Sequence, residues 1–413
     1  MKTLLHGFVA AMLACTALAA APVLAKDAKV EAPKPPKLSK PVAVALMAAQ
    51  KLMQTGDNAG AMVKIKEAEA LPATAADDSF TITQVKLNIA IALKDNLTIE
   101  QSLKSLLATG RVTAEDKPKF LRNVGALAMQ RKDYAGATAA FEELARLTPN
   151  DGDTIIALAE LYFAQKQTTK AVDAISQAID ANTRAAQPVP ENWYRRRLAL
   201  AYDGKLAGAV QTSALALVQA YPNPVNWRDA SVITRDSFPK LDDQIELDFM
   251  RLQAATGSLN GERDFVEYAD TALGRGLPGE AKSVIEEGIR RNMLTPSKPI
   301  VVELQRTANG KVAADRASLP GLERDIKGNP KLALVTGDAY YGYGDYAKAA
   351  SLYKQAIGGA TVDQATANLR YGVALARAGD KAGASAALNA VKGGPREALA
   401  KYWLVWVGQA KPA

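Results

Sequence analysis

The stretch GDAYYGYGDYAKAASLYKQAI, Gly337 to Ile357, decides the fold of this 413-residue chain. Small residues stand at Gly337, Ala349 and Ala356, and rings at Tyr340, Tyr346 and Tyr353. The pair Gly344-Asp345 divides two segments of helical period. Two helices joined by a tight turn fit this pattern. Helices cross closely only where a side chain is no larger than Gly or Ala, and larger residues interlock around the crossing. Gly342, Gly344 and Ala347 also match a G-x-G-x-x-A dinucleotide pattern. That pattern needs a strand before it and a helix N-terminus at the pyrophosphate. Here the glycines lie between helices, where Gly344 supplies a left-handed helix end, so no cofactor is expected.

The same features return 35 residues later as Gly372, Gly379-Asp380, Ala384 and Leu388. Upstream, Leu121, Val124 and Gly125 precede Asp133-Tyr134, followed by Ala137, Phe141, Leu144 and Pro149. At a spacing of 34 residues come Ile155, Leu158 and Ala159, then Ala171, Ile175 and Ala178. This period, with small residues at Ala137 and Ala171, resembles the tetratricopeptide repeat. The resemblance implies an all-α, right-handed superhelical solenoid of stacked antiparallel helix pairs. About nine pairs and a C-terminal capping helix fit between residues 42 and 413. The clearest repeats are 118–151, 152–185, 330–364 and 365–394. Near 42–72, Ala45, Ala48, Ala49 and Leu52 form one stripe, and Ala61, Ile65 and Ala68 the next. The pattern drifts after Pro188, and 295–329 is a possible sub-boundary. There a helix from about Ile300 to Ala317 and a short segment near Leu322 are expected.

The start of the chain reads as an export signal. Lys2, an apolar run from Leu4 to Ala19, and Val23-Leu24-Ala25 before Lys26 predict cleavage after Ala25. Met12-Leu13-Ala14-Cys15 loosely resembles a lipobox, which would instead place an acylated Cys15 at the mature N-terminus and make the protein an outer-membrane-anchored lipoprotein of an envelope assembly or polymer-export complex. Residues 26–41, rich in Lys and Pro, read as a linker. The periplasm or the medium is the expected location.

Export sharpens the composition. The single His, His6, and single Cys, Cys15, lie in the leader. Cleavage after Ala25 leaves no disulfide, no Cys/His zinc site and no Ser-His-Asp triad, so neither metal nor nucleophilic catalysis of that kind is expected. Of the net charge of +8, residues 26–41 carry +3, from five lysines against Asp27 and Glu31. The mild excess elsewhere lacks the concentrated basic face that nucleic acid requires. The acidic pairs Asp77-Asp78, Glu142-Glu143, Asp242-Asp243 and Glu286-Glu287 are expected on solvated faces or helix N-termini. A carboxylate-dependent cell-wall hydrolase is the alternative, and it is not the expected one, because no segment is left over for a catalytic domain.

The resemblance implies a groove lined by the first helix of each pair, holding a protein or peptide partner from the cell envelope. It places Arg122, Met129, Ile156, Glu160, Phe163, Tyr194, Arg228 and Tyr341 there. A carboxylate clamp is not expected, because Ala126 follows Arg122 where Asn is needed. One of Arg195, Arg196 and Arg197 must face the packed side and find a carboxylate or carbonyl. The last helix carries Trp403 and Trp406 on one stripe. They either pack inward or form a docking surface.

Overall fold

The computed structural model describes residues 36–409, so the expected leader, Cys15 and most of the linker lie outside the described residues. Contacts divide the chain into two units, Met1–Thr109 and Gly110–Ala413. The described residues form twenty helices and no strand.

The first unit holds α1 (Lys40–Gln54), α2 (Asn58–Glu69), α3 (Asp78–Leu93) and α4 (Asn96–Ala108). Val42, Leu46 and Ala49 of α1 meet Ala61, Ile65 and Ala68 of α2, and Ile82, Val85 and Ile89 of α3. The α2 stripe is the expected one. On α1 the buried stripe is rotated from the expected one, and Ala45 and Ala48 are only half-buried. Helix α1 starts inside the expected linker. The backbone N–H groups of Lys37 and Ser39 donate to Asp77 Oδ2 (2.6 Å) and Asp78 Oδ1 (2.9 Å). Asp78 is therefore fully buried rather than solvated. Burial alone would raise its pKa, but backbone donors from Ala75 and Ser39 hold it below the ordinary carboxylate value.

The second unit continues in pairs. These are α5 (Asp116–Gln130) with α6 (Tyr134–Leu147), and α7 (Gly152–Ala164) with α8 (Thr168–Arg184). Next come α9 (Glu191–Asp203) with α10 (Ala207–Ala220), and α11 (Pro224–Asp236) with α12 (Asp243–Ala255). Then α13 (Glu262–Gly274) joins α14 (Pro278–Arg290), and α15 (Pro299–Asp325) follows alone. Beyond it lie α16 (Pro330–Gly342) with α17 (Tyr346–Ala356), α18 (Gln364–Arg377) with α19 (Lys381–Asn389), and α20 (Gly394–Gln409).

The crossings depend on small residues as expected. A Cβ on Gly125 would stand 2.5 Å from the Phe141 ring, and one on Gly337 2.7 Å from the Tyr353 ring. Gly344 takes φ +79° after α16, and its neighbour Asp345 caps α17 by accepting from Lys348 N–H (3.1 Å).

Two expectations need correction. The irregular region is one 27-residue helix, α15, with Pro320 inside it. Its start buries Val301, Leu304 and Ala308, but its middle is largely exposed, so no apolar stripe ran through it. Helix α20 also does more than cap the last pair. It packs on α18 and α19 and reaches back to α10 and α12. Tyr402 Oη lies 2.6 Å from Thr234 Oγ1, Trp406 Nε1 donates to the Ala255 carbonyl (3.3 Å), and Gln409 Nε2 to that of Val218 (2.8 Å). Trp403 is 1% exposed, so it forms no docking surface. Trp406 stacks edge-on against it and is half-buried. The apolar residues of this helix are buried on two sides, against α18 and α19 and against α10 and α12.

Candidate binding site

Successive first helices are joined by a ladder of ion pairs. Arg122 of α5 reaches Asp151 at the start of α7 (2.5 Å). Arg196 of α9 forms a two-pronged pair with Glu160 of α7, both contacts 2.8 Å. Arg195 of α9 meets Asp229 of α11 (2.7 Å) and Asn226 (2.9 Å). Arg228 of α11 pairs with Asp264 of α13. Each of these joins residues about one repeat apart. Parallel N–H forks on a carboxylate fix geometry as well as charge.

Between these rungs, α7, α9 and α11 enclose a groove of about 600 Å³. Ile156, Leu198, Ala199 and Ile233 supply apolar wall, while Glu160, Arg195, Arg196 and Asp229 supply paired charge. An apolar floor with a few fixed polar groups at its edge is the common form of a recognition site.

The expected groove residues divide accordingly. Ile156 and Glu160 line this groove. Phe163 lies under the Arg196 guanidinium, 5.0 Å away, and so supports a rung from beneath. Arg122 and Arg228 belong to flanking rungs. Met129 is exposed on α5. Tyr194 stacks edge-on with Tyr221 at 5.9 Å and is not among the lining residues. Tyr341 is a correction: it is 7% exposed, with Arg251 4.6 Å over its ring. Burial pushes its phenol well above the ordinary tyrosine value.

Of the three consecutive arginines, Arg197 faces the packed side. Its best contacts are long, 3.4 Å to Ser176 Oγ and 3.5 Å to the Thr212 carbonyl, and its Nε has no partner. Burial accordingly lowers its pKa.

A second constellation was not anticipated from the sequence. Arg251 of α12 grips Glu280 of α14 through Nε (2.8 Å) and Nη2 (2.7 Å), and reaches Asp338 of α16 at 3.2 Å. Arg370 of α18 bridges Asp338 (2.7 Å) and Asp248 of α12 (3.1 Å). Tyr353 donates to Asp338 (2.7 Å) and Tyr268 to Glu280 (2.7 Å). Arg396 of α20 lies 3.7 Å from Asp248. Three arginines thus meet three carboxylates. Despite burial, the surrounding carboxylates hold Arg251 and Arg370 more firmly protonated than usual. This balance, together with a void of only about 10 Å³ at its centre, marks a structural keystone. No residue spacing announces it, since even the directly hydrogen-bonded Arg370 and Asp248 stand 122 positions apart. Among the described residues no cluster suited to a metal ion occurs.

Comparison with known proteins agrees with the repeat reading. Two tetratricopeptide repeat family models match, one over residues 128–187 and the other over 334–398. No characterised protein matches the chain by sequence. Among solved structures, a tetratricopeptide repeat protein from Parabacteroides merdae is similar at 11% identity. The match covers 65% of this chain and 99% of that one, with a TM-score of 0.30. Yeast Tom70 is similar at 10% identity over 90% of this chain and 96% of its own, with a TM-score of 0.24.

Proposed function

The chain is a tetratricopeptide repeat protein, and on that premise we propose that it is a non-catalytic scaffold holding a protein or peptide of the cell envelope in the groove across α7, α9 and α11. The observation that carries this is the apolar floor held between ion-paired helices. The rungs tie neighbouring first helices before any partner arrives, and a preformed site loses less entropy on binding. Because the rim charges are already satisfied internally, the floor around Ile156 and Ile233 supplies the affinity.

Location in the periplasm or the medium is part of the same proposal. Its support is the Lys2 start, the apolar run to Ala19 and the Val23-Leu24-Ala25 end. Mass spectrometry of the protein from its own cells tests it. A mature chain starting at Lys26 is the expected result, and an acylated chain starting at Cys15 would make it a membrane-anchored lipoprotein. An uncleaved Met1 would remove the envelope from the proposal.

The groove is tested by a photo-crosslinking residue at Ala199, with Val335 of α16, 58% exposed, as the control position. In envelope extract the Ala199 probe should capture discrete partners that the Val335 probe does not. Ile156→Glu with Ile233→Glu should abolish them without changing the helical signal. Identical adducts from both positions, or adducts that survive the double substitution, would refute the groove.

A further inference from the structure

A second cavity, of about 660 Å³, is lined by α14, by Val312 and Arg316 of α15, by the turn between α16 and α17, and by Arg377 of α18. Its wall includes six cationic side chains and three carboxylates. The carboxylates are already engaged. Glu280 is held by Arg251 and Tyr268, Glu287 pairs with Arg290, and Glu286 lies 3.8 Å from Lys282. This leaves Arg291, Arg316 and Arg377, with which no carboxylate forms an ion pair among the described residues. Nearby Asp315 accepts from the Tyr343 hydroxyl (2.5 Å) and does not line the cavity.

All three of these arginines lie over aromatic rings. Arg316 stands 4.4 Å from the centre of Tyr343, Arg377 4.7 Å from that of Tyr346, and Arg291 5.6 Å from that of Phe265. A ring beneath a guanidinium fixes its plane and leaves its N–H edge free to form a fork with an oxyanion. Arg377 spends one donor on Tyr346 Oη (2.7 Å), and Arg291 one on the Gly257 carbonyl (3.1 Å). Arg316 has no hydrogen-bond partner among the described residues, so three positive charges face one cavity with donors to spare.

We propose that this cavity binds a compact ligand carrying two or more oxyanionic groups, carboxylate or phosphate, independently of the groove across α7, α9 and α11. The position is not a repeat-derived one, since it depends on α15, which belongs to no pair. The ring-backed arginines set the geometry, and the paired acids on the wall keep the net charge moderate.

Isothermal titration calorimetry of the full chain with citrate and, separately, with pyrophosphate tests this. Saturable one-site binding of at least one probe at physiological salt is expected. Citrate alone would identify a carboxylate ligand, pyrophosphate alone a phosphate ligand, and both would show that compact charge suffices. Arg316→Gln and Arg377→Gln should each weaken binding at least tenfold. Arg316→Lys should not restore it, because a lysine has no fork. Arg316 is exposed and stacks only on Tyr343, so its variants remain informative if Arg377→Gln unfolds. Arg263, 91% exposed on α13 and outside the cavity, is the control, and Arg263→Gln should leave affinity unchanged. The proposal fails if neither probe saturates, if Arg316→Gln binds as well as the parent, or if Arg263→Gln weakens binding equally.

Discussion

At the scale of single residues, Gly337 and Tyr353 join helix packing to charge. The absence of a side chain at Gly337 admits the Tyr353 ring, and that ring's hydroxyl holds Asp338 between Arg251 and Arg370. Both Tyr353 and the two arginines are almost wholly buried. A buried charge that loses its partner is left uncompensated, which costs far more than the intact pair gains. Arg370→Met should therefore destabilise the second unit by about 3–5 kcal/mol, measured by urea unfolding. Asp338→Asn should cost a similar amount. The double variant should lose clearly less than the sum, because each single change strands a charge that the other removes. Strict additivity in this cycle would show that the residues do not act as one network.

At the scale of elements, the turn between paired helices does most of the local work, and much of it was legible. The Gly344-Asp345 and Gly379-Asp380 pairs and Asp133-Tyr134 marked the turns, and small residues marked the crossings, because both recur at fixed spacing. The division of labour within the turn was less visible. Lys94, Lys132 and Lys166 take the left-handed conformation that Gly344 takes elsewhere, with φ near +60°. The aspartate after Lys94 caps the next helix: Asp95 accepts from Thr98 N–H (3.1 Å) and Thr98 Oγ1 (2.6 Å). Opposite signs follow for adjacent substitutions. Lys94→Gly relieves a strained backbone and should stabilise α4 by about 0.5–1 kcal/mol, whereas Asp95→Ala should cost about 1 kcal/mol. Hydrogen exchange of the α4 amides reads both. The Thr98 side chain foremost, and then its N–H, hold the Asp95 pKa below its ordinary value. A carboxyl with a depressed folded-state pKa stabilises above its unfolded value, near 3.8, and loses that contribution as pH falls through the folded one. The Asp95→Ala deficit should thus be full at pH 7 and shrink below pH 3.8. A deficit constant down to pH 2 would mean that Asp95 acts through shape alone.

At the scale of the whole molecule, the second unit departs from a one-dimensional stack. In a simple solenoid each repeat touches only its neighbours, and stability is a sum of local terms. Here Tyr402 meets Thr234 across 168 positions, and Gln409 meets Val218 across 191. Contacts of this range have no period, which is why the sequence reading reached the pairs but not the closure. The stripe of Trp403 and Trp406 on α20 was the sole hint, and it was compatible with a docking surface as well. Closure should change how the unit unfolds. Without it, α18 and α19 would open as a terminal segment. With it, they are clamped between α20 and the Arg370 pairs, and should exchange their amides together with α10 to α12. Trp403→Ala removes one of the largest fully buried side chains and should cost about 3–5 kcal/mol. Hydrogen exchange by mass spectrometry should then show α18 and α19 exchanging ahead of α10 to α12, where the parent shows one joint event. If the parent already opens its C-terminal pairs separately, the contacts of α20 with α10 and α12 contribute little, and the second unit behaves as an ordinary stack.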